Sequence, residues 1–214
     1  MTSVPRTVGR HIVASPQTLA AALARLETED AAALPLLSPQ GCQALLAASE
    51  ALSYRAAKPV IGKGERTVYQ DFEICMPVPQ GSLFHACAEA VQQLLPPALA
   101  ELDEPPLAAA PPLNDLVVQR YAAGSRGITP HRDHVRYRNL VAIVTLAGQA
   151  RFFVCRERSG TDAREVAIPP GSLLLMRAPG FAGRSDRPFH FLSDVTSTRV
   201  CVGIRHDVEA DTGD

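Results

Sequence analysis

The sequence predicts an α+β protein, a double-stranded β-helix (jelly roll) with N-terminal helices packed on one sheet. Three observations carry that expectation. The first hundred residues or so contain stretches with apolar side chains at three-to-four spacing, whereas the chain after Leu113 breaks into short β-rich runs separated by turn signals. One of those runs, Leu140 to Leu146, is nearly all apolar at odd and even positions alike, so it needs cover on both faces. The N-terminal helices are the available cover.

Ser15-Pro16 ahead of Leu19, Ala20, Leu23 and Leu26 gives a helix cap, a proline in the first turn and an apolar stripe. Ser38-Pro39 ahead of Cys42, Leu45, Leu46 and Ala48 repeats the pattern. A third helix is expected from Ser82 to Leu95 on the spacing of Phe84, Ala88, Val91 and Leu94, ending at Pro96-Pro97 because proline disfavours helical backbone before it. A strand is expected from Thr67 to Cys75. The Pro- and Ala-rich stretch from Glu101 to Pro112 reads as a surface linker.

The β-rich runs are Leu116 to Tyr121, Leu140 to Leu146, Arg151 to Cys155, Glu165 to Ile168, Ser172 to Met176, Phe189 to Leu192 and Arg199 to Arg205. Gly124, Gly148, Ser159-Gly160, Pro169-Pro170-Gly171 and Pro179-Gly180 punctuate them. Such runs suit two facing sheets with a ligand site at the mouth between them.

At 214 residues the chain suits one structural domain, divided into a helical cap with supporting strands (1–112) and a jelly-roll core (113–214). A net charge of -1 and a pI near 6.6 supply no global attraction to nucleic acid or anionic membrane. The five dispersed cysteines fit reduced core thiols better than a disulfide framework. No stretch approaches the roughly 20 apolar residues of a membrane span, and Met1 to Arg6 has no apolar region behind its positive charge. A cytoplasmic protein without membrane contact is expected.

His131 and Asp133 are two apart, so in extended backbone both side chains leave one face and can hold one ion. Such a pair recurs by chance, and two ligands do not complete a site. His190, a polar residue inside the apolar run Phe189-His190-Phe191-Leu192, is the candidate third, with His206 as its rival. Alone, a histidine in such a run is more often a hydrogen-bonded packing residue. Two imidazoles and one carboxylate leave coordination positions open for small molecules.

Arg199 and Arg205 are six apart and share a strand face with Cys201 and Gly203, while Val200, Val202 and Ile204 share the other. Guanidinium groups on an interior face are costly unless an anion meets them. A ligand carboxylate would serve, with Tyr121 adding a hydroxyl donor. The plain structural alternative is a partner such as Asp115, Asp194 or Glu165.

Taken in order, Gln119-Arg120-Tyr121, Gly124, His131-x-Asp133, His190, Arg199 and Arg205 resemble the Fe(II)- and 2-oxoglutarate-dependent dioxygenases, most of all the AlkB-type branch, over about Leu113 to Asp207. The resemblance implies Fe(II) on His131, Asp133 and His190, which would be the catalytic centre. It also implies 2-oxoglutarate on Arg199 with help from Tyr121, and Arg205 near the iron-bound end. Gln119 stands where the branch carries Asn, so its cosubstrate contact departs from the pattern. Implied too are dioxygen as second cosubstrate and oxidative decarboxylation coupled to hydroxylation, or to hydroxylation-driven demethylation.

Arg120, Arg126, Arg132, Arg136 and Arg138 cluster around the His-x-Asp motif and could meet a phosphate or carboxylate, or could be solvated or paired within the protein. With no Trp and 5% aromatic residues, stacking platforms for a flipped base are scarce, so a small-molecule or peptide substrate of anionic character is expected over nucleic acid. An AlkB-like nucleic-acid dealkylase and a non-catalytic jelly-roll binding module are the two alternatives.

Overall fold

The computed structural model describes residues 6–210. The expectation about the opening segment therefore falls largely outside the described residues. Four helices and thirteen strands follow in the order α1 (Arg6–Gly9), α2 (Pro16–Glu29), β1 (Ala31–Pro35), α3 (Pro39–Ser49), β2 (Arg55–Ala56), β3 (Val60–Ile61), β4 (Val68–Asp71), β5 (Glu73–Cys75) and α4 (Leu83–Ala100). Then come β6 (Asp115–Tyr121), β7 (Gly127–His131), β8 (Tyr137–Ala147), β9 (Arg151–Cys155), β10 (Arg164–Val166), β11 (Ser172–Arg177), β12 (Phe189–Ser193) and β13 (Arg199–Asp207).

The strands form two antiparallel sheets, ordered β1-β11-β8-β13-β6-β5-β2 and β10-β9-β12-β7-β4-β3. On the outer face of the seven-stranded sheet, Leu140, Ala142 and Val144 of β8 and Val200, Val202 and Ile204 of β13 join Leu19, Leu23 and Leu26 of α2 and Phe84 and Val91 of α4 in one apolar cluster. On its inner face Val141 and Cys201 join Phe152, Val154 and Leu192 of the second sheet. This double cover is what the unbroken apolar run in β8 required. No helix among the described residues is long and apolar enough to cross a membrane. All five cysteines are free and buried.

Two elements depart from the sequence expectation, and a third stands where none was expected. Helix α4 does not stop at Pro96-Pro97 but continues to Ala100. Its apolar stripe continues past the prolines through Ala98 and Leu99 after Val91 and Leu95, so burial offsets the two missing amide donors. The expected strand from Thr67 to Cys75 is two strands in different sheets, β4 and β5, separated only by Phe72. The helix-forming run Ala31-Ala32-Ala33 is the edge strand β1, because Asp30 takes φ 65° after α2 and the backbone then pairs with β11 from Ala31↔Met176 to Pro35↔Ser172.

Strand β7 was also missing from the sequence pattern, since Gly127 and Pro130 both argue against a strand. Pro130 lies beyond the last β4 pair, Gln70↔Ile128, so its missing donor leaves that ladder intact. Gly127 has φ 73°, and a Cβ there would lie 1.9 Å from the Leu192 carbonyl oxygen, which only glycine avoids.

Candidate metal centre and anion pocket

The side chains that converge come from the inner faces of both sheets. β7 and β12 pair so that His131 lies opposite His190, with ring centroids 4.2 Å apart. Asp133 follows β7 in irregular backbone instead of continuing the strand. Its Oδ1 is 3.9 Å from His131 Nε2 and 3.8 Å from His190 Nε2, and one ligand atom from each of the three lies within 4.8 Å of the others. His131 Nδ1 donates to the Thr129 carbonyl at 3.0 Å, which leaves the Nε2 lone pair facing Asp133. Among the described residues this is the one cluster of histidine, cysteine or carboxylate side chains arranged to hold an ion.

The electrostatics suit ligation. Burial, with His190 adding, pushes the His131 imidazole down to about 3, and burial likewise lowers His190, so both rings are neutral. Burial by itself would raise Asp133, but positive charge around it, that of the Arg205 and Arg187 guanidiniums included, holds its carboxyl below the usual range. Two neutral imidazoles and a carboxylate are the protonation states a metal needs. The donor set fits Fe(II), with three protein ligands and positions left open.

The three line a cavity of about 440 Å³ whose far wall carries Gln119, Tyr121, Arg199, Cys201, Gly203 and Arg205. Arg199 is 2% exposed; its Nη1 donates to Cys201 Sγ at 2.9 Å and its Nη2 to Thr145 Oγ1 at 3.3 Å, while Nε has no partner. Among the described residues no carboxylate pairs with it. Asp115 is taken by Arg205 at 3.4 Å, and Glu165 and Asp194 by Arg151 at 2.7 and 3.7 Å. The internal-partner explanation therefore applies to Arg205 and fails for Arg199. A buried, charged donor facing a cavity without a counter-ion fits an anionic ligand such as a carboxylate.

Tyr121 is buried beside this guanidinium, which lies 5.5 Å from its ring centroid, and burial raises its hydroxyl pKa. Gln119 accepts from Cys201 Sγ at 3.6 Å. Arg205 also lies over the Tyr137 ring at 4.6 Å. Gly203 makes room for it: a Cβ there would come within 3.1 Å of Arg205 Nη2.

The remaining histidines stand apart from the cluster. His206 Nδ1 meets Asn139 at 2.9 Å, while His11 and His85 bond Ser38 and Ser82. His134 sits at the cavity rim. In the basic segment, Arg120 pairs with Glu73 at 2.7 Å and Arg136 with Asp207 at 3.2 Å, so part of its charge is used internally. Sequence reasoning missed Arg187, whose Nη1 donates to the Asp133 carbonyl, and Thr145, which meets Arg199. Thr145 was detectable as the polar residue in the otherwise apolar run Leu140 to Leu146; Arg187 carried no signal.

No family model matches the sequence, and no curated protein matches it. Solved structures do match in fold. An oxidoreductase of the 2OG-Fe(II) oxygenase family from Burkholderia pseudomallei superposes with a TM-score of 0.59 at 11% identity, covering 88% of this chain and 90% of that one. A Pseudomonas putida prolyl-4-hydroxylase gives 0.58 at 19% identity, with 89% and 99% covered. A prolyl hydroxylase from Trichoplax adhaerens, in complex with a hypoxia inducible factor oxygen degradation domain peptide fragment, gives 0.54 at 14% identity, with 93% and 94% covered. The chain shares their fold; none of the three is described as AlkB-type.

Proposed function

We propose that the protein is a non-haem iron oxygenase that couples oxidative decarboxylation of 2-oxoglutarate to hydroxylation of a small-molecule or peptide substrate. The observation that carries this reading is Arg199, a buried guanidinium without a carboxylate partner among the described residues, in the same cavity as His131, Asp133 and His190. The fold shared with 2OG-Fe(II) oxygenases supports it, and the two-sheet core is read as their jelly roll. The resemblance to the AlkB-type branch gains no support from these structures, and the reading stops at the superfamily. A peptide substrate is favoured over nucleic acid because one structural neighbour holds a peptide and the chain is poor in stacking aromatics.

In this reading His131, Asp133 and His190 hold Fe(II), which supplies dioxygen activation when bound. Arg199 grips the distal carboxylate of 2-oxoglutarate, with Thr145 fixing one edge of its fork and Tyr121 closing the pocket beside it. Arg205, held by Asp115 and Tyr137, places positive charge near Asp133 and helps keep that carboxyl ionised. Ile128, Val141, Phe152 and Leu192 wall the cavity with apolar surface and limit water near the reacting centre. The test is conversion of 2-oxoglutarate to succinate by purified protein with Fe(II), alongside binding of each. Absence of both binding and turnover would leave a non-catalytic module.

A further inference from the structure

Beside the metal cavity lies a second concavity of about 650 Å³, lined by Glu65, Arg66, Arg132, Arg158, Arg187 and Phe189. Arg132 and Arg187 line both cavities, so the two share a wall. The arginines come from four separate stretches: the turn Gly64–Arg66, the link after β7, the loop after β9 and the approach to β12. Arg132 and Arg158 lie over the Phe189 ring, with guanidinium carbons 4.1 and 5.3 Å from its centroid. Arg158 Nη1 donates to the Pro130 carbonyl at 3.1 Å, and Arg187 Nη1 donates to the Asp133 carbonyl. Backbone acceptors thus hold two of the forks while most of their donors stay unused.

At several other places the fold matches an arginine with an acid: Arg25, Arg120, Arg136, Arg151 and Arg177 each meet a carboxylate. Among the described residues none of the four guanidiniums here does, although Glu65 shares the rim. Four like charges around one concavity repel unless an anion sits among them. We propose that this concavity is a subsite for an anionic group of the substrate, a carboxylate or a phosphate, set off from the carbon that reacts at the metal. The substrate assignment rests on the oxygenase reading; the anion site itself does not.

Binding is measured by calorimetry on the full chain, with and without Fe(II), using a hexaglutamate peptide and inorganic pyrophosphate as probes. The parent protein binds at least one of them, and more weakly as salt rises. Tighter peptide binding identifies a carboxylate site and tighter pyrophosphate binding a phosphate site. Arg66→Glu, at an exposed position, and Arg158→Lys, which keeps a charge near the Pro130 carbonyl but loses the fork, each weaken binding roughly tenfold, with Fe(II) affinity unchanged. Binding of neither probe, or variants that bind like the parent, overturns the subsite. If the anion binds while Fe(II) does not, the oxygenase reading falls and the subsite stands; Fe(II) binding without any anion binding removes the subsite alone.

Discussion

His131 and His190 are register partners on adjacent antiparallel strands, and their rings approach to 4.2 Å between centroids. Residues 59 positions apart are thereby locked by a backbone ladder, so the distance between two proposed metal ligands is set by strand pairing and not by loop conformation.

Replacing either member of this pair should remove the ion site. His131→Ala and His190→Ala are each expected to abolish tight Fe(II) binding in an anaerobic titration while the protein stays folded, since both substitutions relieve a buried polar group. Retained stoichiometric binding in His190→Ala would exclude that residue as a ligand.

Arg199→Ala should weaken 2-oxoglutarate binding by about 2–5 kcal/mol, the usual cost of truncating one side of a buried charge pair. Fe(II) affinity should be unchanged. Arg199→Lys restores charge without the planar fork and is expected to recover only part of the loss. Calorimetric titration of each variant checks both statements.

Gly127→Ala places a Cβ against the Leu192 carbonyl at a φ of 73°. The expected destabilisation is about 2 kcal/mol or more, read as a lower denaturant midpoint, with loss of Fe(II) affinity because β7 and β12 carry His131 and His190.

Acid should weaken a structural ion pair that lies outside the lining of the metal cavity. Arg177, 2% exposed, meets Asp30 at 2.6 Å and Asp186 at 2.7 Å. Hydrogen bonds from Arg177 and then Arg184 bring the Asp186 carboxyl down to about 2 from its ordinary 3.8. A depressed carboxyl contributes stability that is full above pH 3.8 and is lost as pH falls toward 2. Asp186 is half exposed, so the effect is modest. Urea midpoints from pH 5 to pH 2.5 should decline less steeply in Asp186→Asn than in the parent.

Much of the core was legible because its signals are local. The period of Val200, Val202 and Ile204 against Arg199, Cys201 and Gly203 assigns the two faces of β13 without knowledge of the partner strands. The two-residue spacing of His131 and Asp133 likewise suggested a shared face, although Asp133 lies past the strand end. What sequence could not provide was pairing. β1 looks helical until β11 is beside it, β7 looks broken until its glycine is seen against Leu192, and Arg187 gains meaning only where the chain returns to Asp133. Whether Arg199 or Arg205 would find an internal carboxylate depended on which strand brought Asp115 alongside, a tertiary fact.

Phe72 alone separates β4 in one sheet from β5 in the other, and its ring packs tilted against Tyr121 with centroids 4.9 Å apart. A seam of one residue acts as a spacer bolt: the gap between the layers cannot widen there without breaking hydrogen bonds on both sides. Ligands of differing bulk must then be accommodated at the rim, while the depth of the slot near Arg199 keeps a constant gauge.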